Sequence, residues 1–210
     1  MQRGTGVREL TIWHPRQSPL DVLPYPWALG TTGEMGGNNT TVMNVTLVNA
    51  YRGIRIGPEW NELHTIRHVF MTALDTGFST DTTTDIGRID GLVNGPGVWE
   101  GCGLPGSPVD GTARRSLRQR LRESATGVDI GRSDWEYIHG IRAEGLQTGI
   151  RFRAGQRGTS NAVMLDCVFR DCVAAIRLEH LKGLGLSATA CLFAGSAAAL
   201  GAAPSFSPVA

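Results

Sequence analysis

Apolar and polar residues alternate over short stretches of this chain, and the stretches share a phrase. It reads "GIRI" at Gly53, "GFST" at Gly77, "GVW" at Gly97, "GVDI" at Gly127, "GIRF" at Gly149 and "AIRL" at Ala175, with a fainter "ALG" at Ala199. The successive intervals are 24, 20, 30, 22, 26 and 24 residues. Alternation places one side-chain set on each face of a strand. Ile54 and Ile56 therefore share a face, as do Phe78 and Thr80, Val128 and Ile130, Ile150 and Phe152, and Ile176 and Leu178. Arg55, Ser79, Asp129, Arg151 and Arg177 take the opposite face.

A second apolar anchor precedes most of these phrases by eight residues: Val45, Val69, Ile89, Ile141, Cys167 and Cys191. Each anchor lies in a strand-like run, so each period holds two short strands and a turn, with room for a third. One period is too small to bury its own apolar face, and a recurrence of about two dozen residues points to stacked repeats. The pattern predicts an all-β, single-stranded parallel β-helix of about six to seven coils. A helical repeat would space apolar residues at i, i+3, i+4 and i+7, which these phrases do not. A β-sandwich would not explain a shared internal phrase.

The irregular parts are equally legible. The β-helix domain is expected over residues 1–200, with a Pro- and Gly-rich loop at 15–39 and an irregular tail at 201–210. The long interval holds an insertion at 98–126, with a short helix near 112–124. Its apolar stripe is Ala113, Leu117 and Leu121, and Asp110 or Thr112 caps it. The arginines on that helix form either a solvated face or a basic flap over an acidic ligand. Neither end offers a capping element, so the chain is expected to be a piece of a longer protein or a degraded reading frame.

Composition narrows the function classes. The 210 residues carry a formal charge of +1, so no global field draws nucleic acid. No apolar run of about 18 residues is present, so no membrane insertion is expected. The first ten residues lack the apolar core of a signal peptide. The four cysteines, Cys102, Cys167, Cys172 and Cys191, form no CxxC pair and are expected to pack as thiols; a disulfide is not assignable. No metal-ligand spacing and no phosphate-binding glycine loop is present.

Several phrases together carry a likeness: "GVRELTIWHP", "PYPW", "NVTLVNAYRGIRIGPEWNELHTIRHVF", "TDTTTDIGRI" and "IGRSDWEYIHGI". In that order they resemble the pectate lyase superfamily, in particular bacterial glycosyl hydrolases related to polygalacturonases and to paired-β-helix exo-glucanases. The resemblance implies a right-handed β-helix, a polysaccharide bound along one long wall, and an extracellular location. It implies no cofactor, with calcium entering only for a lyase. Ser79–Asp81 echoes the Asn-Thr-Asp phrase of the polygalacturonases, while their Asp-Asp, Gly-His-Gly and Arg-Ile-Lys phrases are absent.

Glycoside hydrolysis needs two carboxyl groups flanking the bond. The densest acidic run, "DTGFSTDTTTDIGRID", offers Asp81 and Asp85 as catalytic acids and Arg88 as a subsite residue. Turn chemistry is the competing reading, because Asp and Thr bond their own backbone. "IGPEWNELH" and "IGRSDWEYIH" write one connection twice. They offer Asp134 and Glu136 as further catalytic candidates and Trp60, Trp135 and Glu59 as substrate-binding residues. A ring stacked on a sugar face beside a carboxylate suits a glycan; packing at a column end is the alternative. The sequence thus predicts a glycoside hydrolase-like protein acting on a polysaccharide, against a non-catalytic glycan-binding β-helix or an inactive truncated relative.

Overall fold

The computed structural model describes residues 1–33 and 36–202. Its strands are β1 (Gly6–Ile12), β2 (Trp27–Gly30), β3 (Thr41–Ile56), β4 (Thr65–Thr80), β5 (Thr83–Asn94), β6 (Thr126–Ile130), β7 (Ser133–His139), β8 (Arg142–Glu144), β9 (Thr148–Phe152), β10 (Ser160–Leu165), β11 (Val168–Leu178), β12 (Leu181–Thr189) and β13 (Leu192–Ala202). Two helices, α1 (Gly97–Gly101) and α2 (Gly111–Ser124), complete the described elements. The chain is mostly β, and its strands join one 13-stranded sheet in which the named strands pair in parallel.

Register follows the sequence phrase. Ile54 pairs with Phe78, Phe78 with Val128, Val128 with Ile150 and Ile150 with Ile176. All five are buried. A second buried file runs Val42, Ile66, Ile89, Ile138 and Met164, and a third runs Leu47, Met71, Asn94, Ala143 and Phe169. The chain therefore lays three strand segments per repeat, best seen where β7, β8 and β9 are separate.

A recurrent bend divides the first segment from the second. Glu9, Asn44, His68, Gly91, Gly140, Asp166 and Ala190 all have φ between 50 and 71° and sit at equivalent places in successive repeats. This left-handed conformation costs an L-residue about 1–2 kcal/mol, so the stacking on either side must hold it. The side chains help: Asn44 Nδ2 donates to Glu9 Oε1 at 2.5 Å, and His68 Nδ1 lies 3.3 Å from Asn44 Oδ1.

Four expectations are revised. "GVW" at Gly97 is not a strand: it forms α1, which buries Trp99 and donates the Trp99 N–H to Thr72 Oγ1 at 3.0 Å. β4 consequently pairs directly with β6, and both helices are inserted within one repeat, between β5 and β6. The anchor of that repeat is Leu92, paired with Val69; Ile89 stacks three residues earlier, on Ile66. Residues 15–39 are not all loop, because β2 pairs with β3 through Leu29 and Ile54. Of the tail expected at 201–210, residues 201–202 belong to β13 and 203–210 lie outside the described residues.

Helix α2 forms as its pattern predicts. Asp110 caps it, accepting from the Thr112 and Ala113 N–H groups at 2.8 Å each, and Leu117 and Leu121 are buried. Arg118 fastens it to α1 through two bonds to Glu100, at 2.9 and 2.8 Å. That guanidinium holds the Glu100 carboxyl below the usual glutamate range. A lowered folded-state value means that this contribution to stability is complete above the ordinary glutamate range and fades as pH falls through the lowered value. Arg118→Ala should therefore lose stability at neutral pH, and the deficit should shrink in acid; thermal melts across pH check this.

The recurrent glycine has a steric cause. A Cβ on Gly127 would stand 2.4 Å from the Gly149 carbonyl oxygen of the next repeat. Gly127→Ala should cost about 1–3 kcal/mol through overpacking, measured by urea unfolding.

Candidate functional site

The acids and aromatics singled out by the sequence gather where the third segment of one repeat turns into the first segment of the next. The connections at residues 57–64 and 153–159 are long, and those between them, at 81–82 and 131–132, are short. Arg132, on a short one, is the hub. Its Nη2 donates to Asp134 Oδ2 at 2.8 Å, its Nη1 to the Thr83 carbonyl at 2.7 Å, and its backbone N–H to Asp81 Oδ1 at 3.0 Å. The Arg132 and Arg157 guanidiniums lie over the Trp60 ring, 5.1 and 4.5 Å from its centroid. Trp60 is thus a cation platform here. Asp134 also pairs with Lys182, the single lysine of the chain.

Asp81 is buried, and both of its oxygens are engaged. Oδ1 accepts from Thr82 N at 2.7 Å and Arg132 N at 3.0 Å, and Oδ2 from Arg153 Nη1 at 3.2 Å. Asp129 is equally committed: Oδ1 accepts from Arg151 Nε at 2.6 Å and Oδ2 from Arg153 Nε at 2.9 Å. Burial works against the Arg153 charge, but the two aspartates outweigh it and raise the Arg153 pKa further. These groups line a hollow of about 390 Å³ with Trp27, Arg55, Pro58, Ser79 and Gln156. Ser79 and Asp129 are its floor, because they follow Arg55 and precede Arg151 in the outward file of the third segment. Arg55 lies 5.9 Å from the Trp27 ring centroid, and its Nε has no hydrogen-bond partner among the described residues.

The remaining candidates lie apart from this hollow. Asp85 is exposed, and its Oδ1 accepts from Ile86 N at 2.8 Å, a turn bond. Arg88 is exposed and in register with Tyr137, whose ring centroid is 6.2 Å from that of Trp135; the three form an outward patch on the first segment. Glu59 is exposed beside Trp60. Glu136 faces inward and has no solvent exposure. It accepts from Ser133 Oγ at 3.0 Å and lies 3.4 Å from His64 Nε2, itself fully buried. The two side chains meet across Gly87: a Cβ there would be 2.4 Å from both.

Sequence reasoning therefore united residues that the fold separates, and missed Arg132, Arg153, Arg157 and Tyr137. "GIRFRAG" carried a signal for Arg153, since it occupies the same outward parity as Arg151. Arg132 and Arg157 gave none, because their partners are distant in sequence. Chemically, the buried aspartates act as fasteners between repeats: their lone pairs are already taken by guanidinium and backbone donors. Among the described residues no group of three or more His, Cys, Asp or Glu is placed to hold a metal, and no helix is long and apolar enough to cross a membrane.

Asp81→Ala would leave the Thr82 and Arg132 N–H groups unpaired and Arg153 with Asp129 alone, at a cost on the order of 2 kcal/mol. Asp85→Ala should stay within about 0.5 kcal/mol of the parent. Urea unfolding of both variants tests this contrast. No family model, no curated protein and no solved structure matches the chain.

Proposed function

We propose that the chain is a right-handed, single-stranded parallel β-helix that binds a carboxylated polysaccharide and does not cleave it. Three strand files in continuous parallel register support the helix. Right-handedness has the support of the general rule that crossovers between parallel strands are right-handed in about 98% of cases. The phrase-level resemblance to the pectate lyase superfamily points the same way, and it makes extracellular polysaccharide the natural ligand.

One observation carries the binding reading. In the hollow over Ser79 and Asp129, both carboxylates are consumed by arginines, while Arg55 lines the rim beside Trp27 with no acid partner among the described residues. A guanidinium matches a carboxylate in two parallel bonds, and an indole offers a face to a sugar ring. Cleavage would need one carboxyl free to give a proton and another free to receive one or to attack. A hydrolase is the second reading, favoured by the fact that Asp81 and Asp129 line the same hollow.

Affinity electrophoresis in polygalacturonate, alginate and neutral glucan gels separates the readings. Retardation by the acidic gels alone is expected, weakened about tenfold by Arg55→Ala, with no release of reducing ends. Equal retardation in neutral glucan, or no effect of Arg55→Ala, would remove the binding reading. Reducing ends that vanish in Asp129→Asn would establish the hydrolase.

A further inference from the structure

The inward file beside the left-handed bend is aliphatic through Val45, Val69 and Leu92. At the last two described repeats it changes to Cys167 and Cys191. Pairing on both sides fixes their alignment: Leu165 faces Thr189 and Val168 faces Leu192, each an offset of 24 residues. The Leu192 N–H donates to the Cys167 carbonyl at 2.8 Å. The residues just before them, Asp166 and Ala190, share the bend, with φ of 50 and 52°. The side chains also match. Cys167 Sγ lies 3.4 Å from the Leu165 carbonyl and Cys191 Sγ 3.3 Å from the Thr189 carbonyl. Neighbours across parallel strands stand about 4.8 Å apart, inside the Cα separation of about 4.4–6.8 Å that a disulfide accepts. Both cysteines are free thiols here, Cys167 buried and Cys191 half-buried.

We propose that Cys167 and Cys191 are a redox modification site, at which a small-molecule disulfide such as oxidised glutathione joins two adjacent repeats covalently. Cys191 reacts first because it is the accessible thiol. It gives its proton to solvent, and its thiolate attacks one sulfur of the small disulfide. A mixed disulfide forms and one small thiolate leaves. Cys167 then loses its proton and attacks Cys191 Sγ, forming the protein Sγ–Sγ bond and expelling the second small thiolate. Both leaving groups are protonated by solvent, and the two electrons lost by the protein thiols reduce the small disulfide to two thiols. Burial pushes the Cys167 thiol up to about 11, and Cys191 adds to the rise while the Ile141 N–H and Arg142 offset part of it. Cys167 is therefore the resolving and slower partner.

The folded chain, incubated with oxidised glutathione, is alkylated, digested with trypsin without reduction and mapped by mass spectrometry. Cleavage after Arg157, Arg170, Arg177 and Lys182 puts Cys167 in peptide 158–170, Cys172 in 171–177 and Cys191 in the peptide beginning at Gly183. The expected product is 158–170 linked to the Gly183 peptide, lighter by two hydrogens, with two thiol equivalents lost from titration. In denaturant the same treatment should give mixed pairings. Cys191→Ser should abolish the link while keeping the parent circular dichroism spectrum. A stable glutathione adduct on Cys191 with Cys167 still alkylated, or a link to Cys172 instead, would overturn the proposal.

Discussion

Parallel strands about 4.8 Å apart give every side chain an equivalent directly above and below it. Everything else in this molecule answers to that constraint. Aliphatic residues satisfy it by stacking on their own kind, as Ile54, Phe78, Val128, Ile150 and Ile176 do. Several charged residues satisfy it by alternating in sign. Asp90 sits between Arg67 and His139, at 3.3 and 2.8 Å, and Asp129 has Arg151 as its neighbour. Where a side chain must reach past its neighbour, the neighbour is glycine, as Gly87 is for His64 and Glu136.

The same constraint decides what the acids can do. An aspartate on a connection between repeats is surrounded by the backbone N–H groups and arginines of the repeats beside it. Asp81 gathers donors from its own repeat through Thr82 and from the next two through Arg132 and Arg153. Such a group is worth more as a fastener than as a reagent. Under the proposed binding reading, the surface left for recognition is the outward files, where Arg55 and Trp27 border the hollow and where Arg88, Tyr137 and Trp135 form their patch. A polymer laid along these files would meet several repeats at once.

Much of this was legible in the sequence, and the rest was hidden for identifiable reasons. The apolar files announced themselves because period-two alternation and the glycine recur in the same phrase. "GVW" misled because it copies the phrase locally, while its surroundings place Trp99 under a helix rather than in a strand. Ile89 misled because two inward files run side by side three residues apart, and spacing alone does not tell them apart. The bend residues were invisible because Glu9, Asn44, His68 and Ala190 share a backbone conformation and no chemistry. At the site, Asp81 was found by its neighbours in the run. Its real partner, Arg153, lies 72 residues away. Glu136 looked like a reagent because parity over one short strand does not reveal which face is closed.

The two helices enter the chain at one seam, between β5 and β6. At the following repeat the same seam, from β8 to β9, is crossed by residues 145–147 alone. A shorter, helix-free version of this repeat is therefore latent in the architecture, since β4 already meets both β5 and β6 without help from the intervening segment. That segment is thus a cassette on whose length the strand register does not depend, while Trp99, Leu117 and Leu121 from it add to the core.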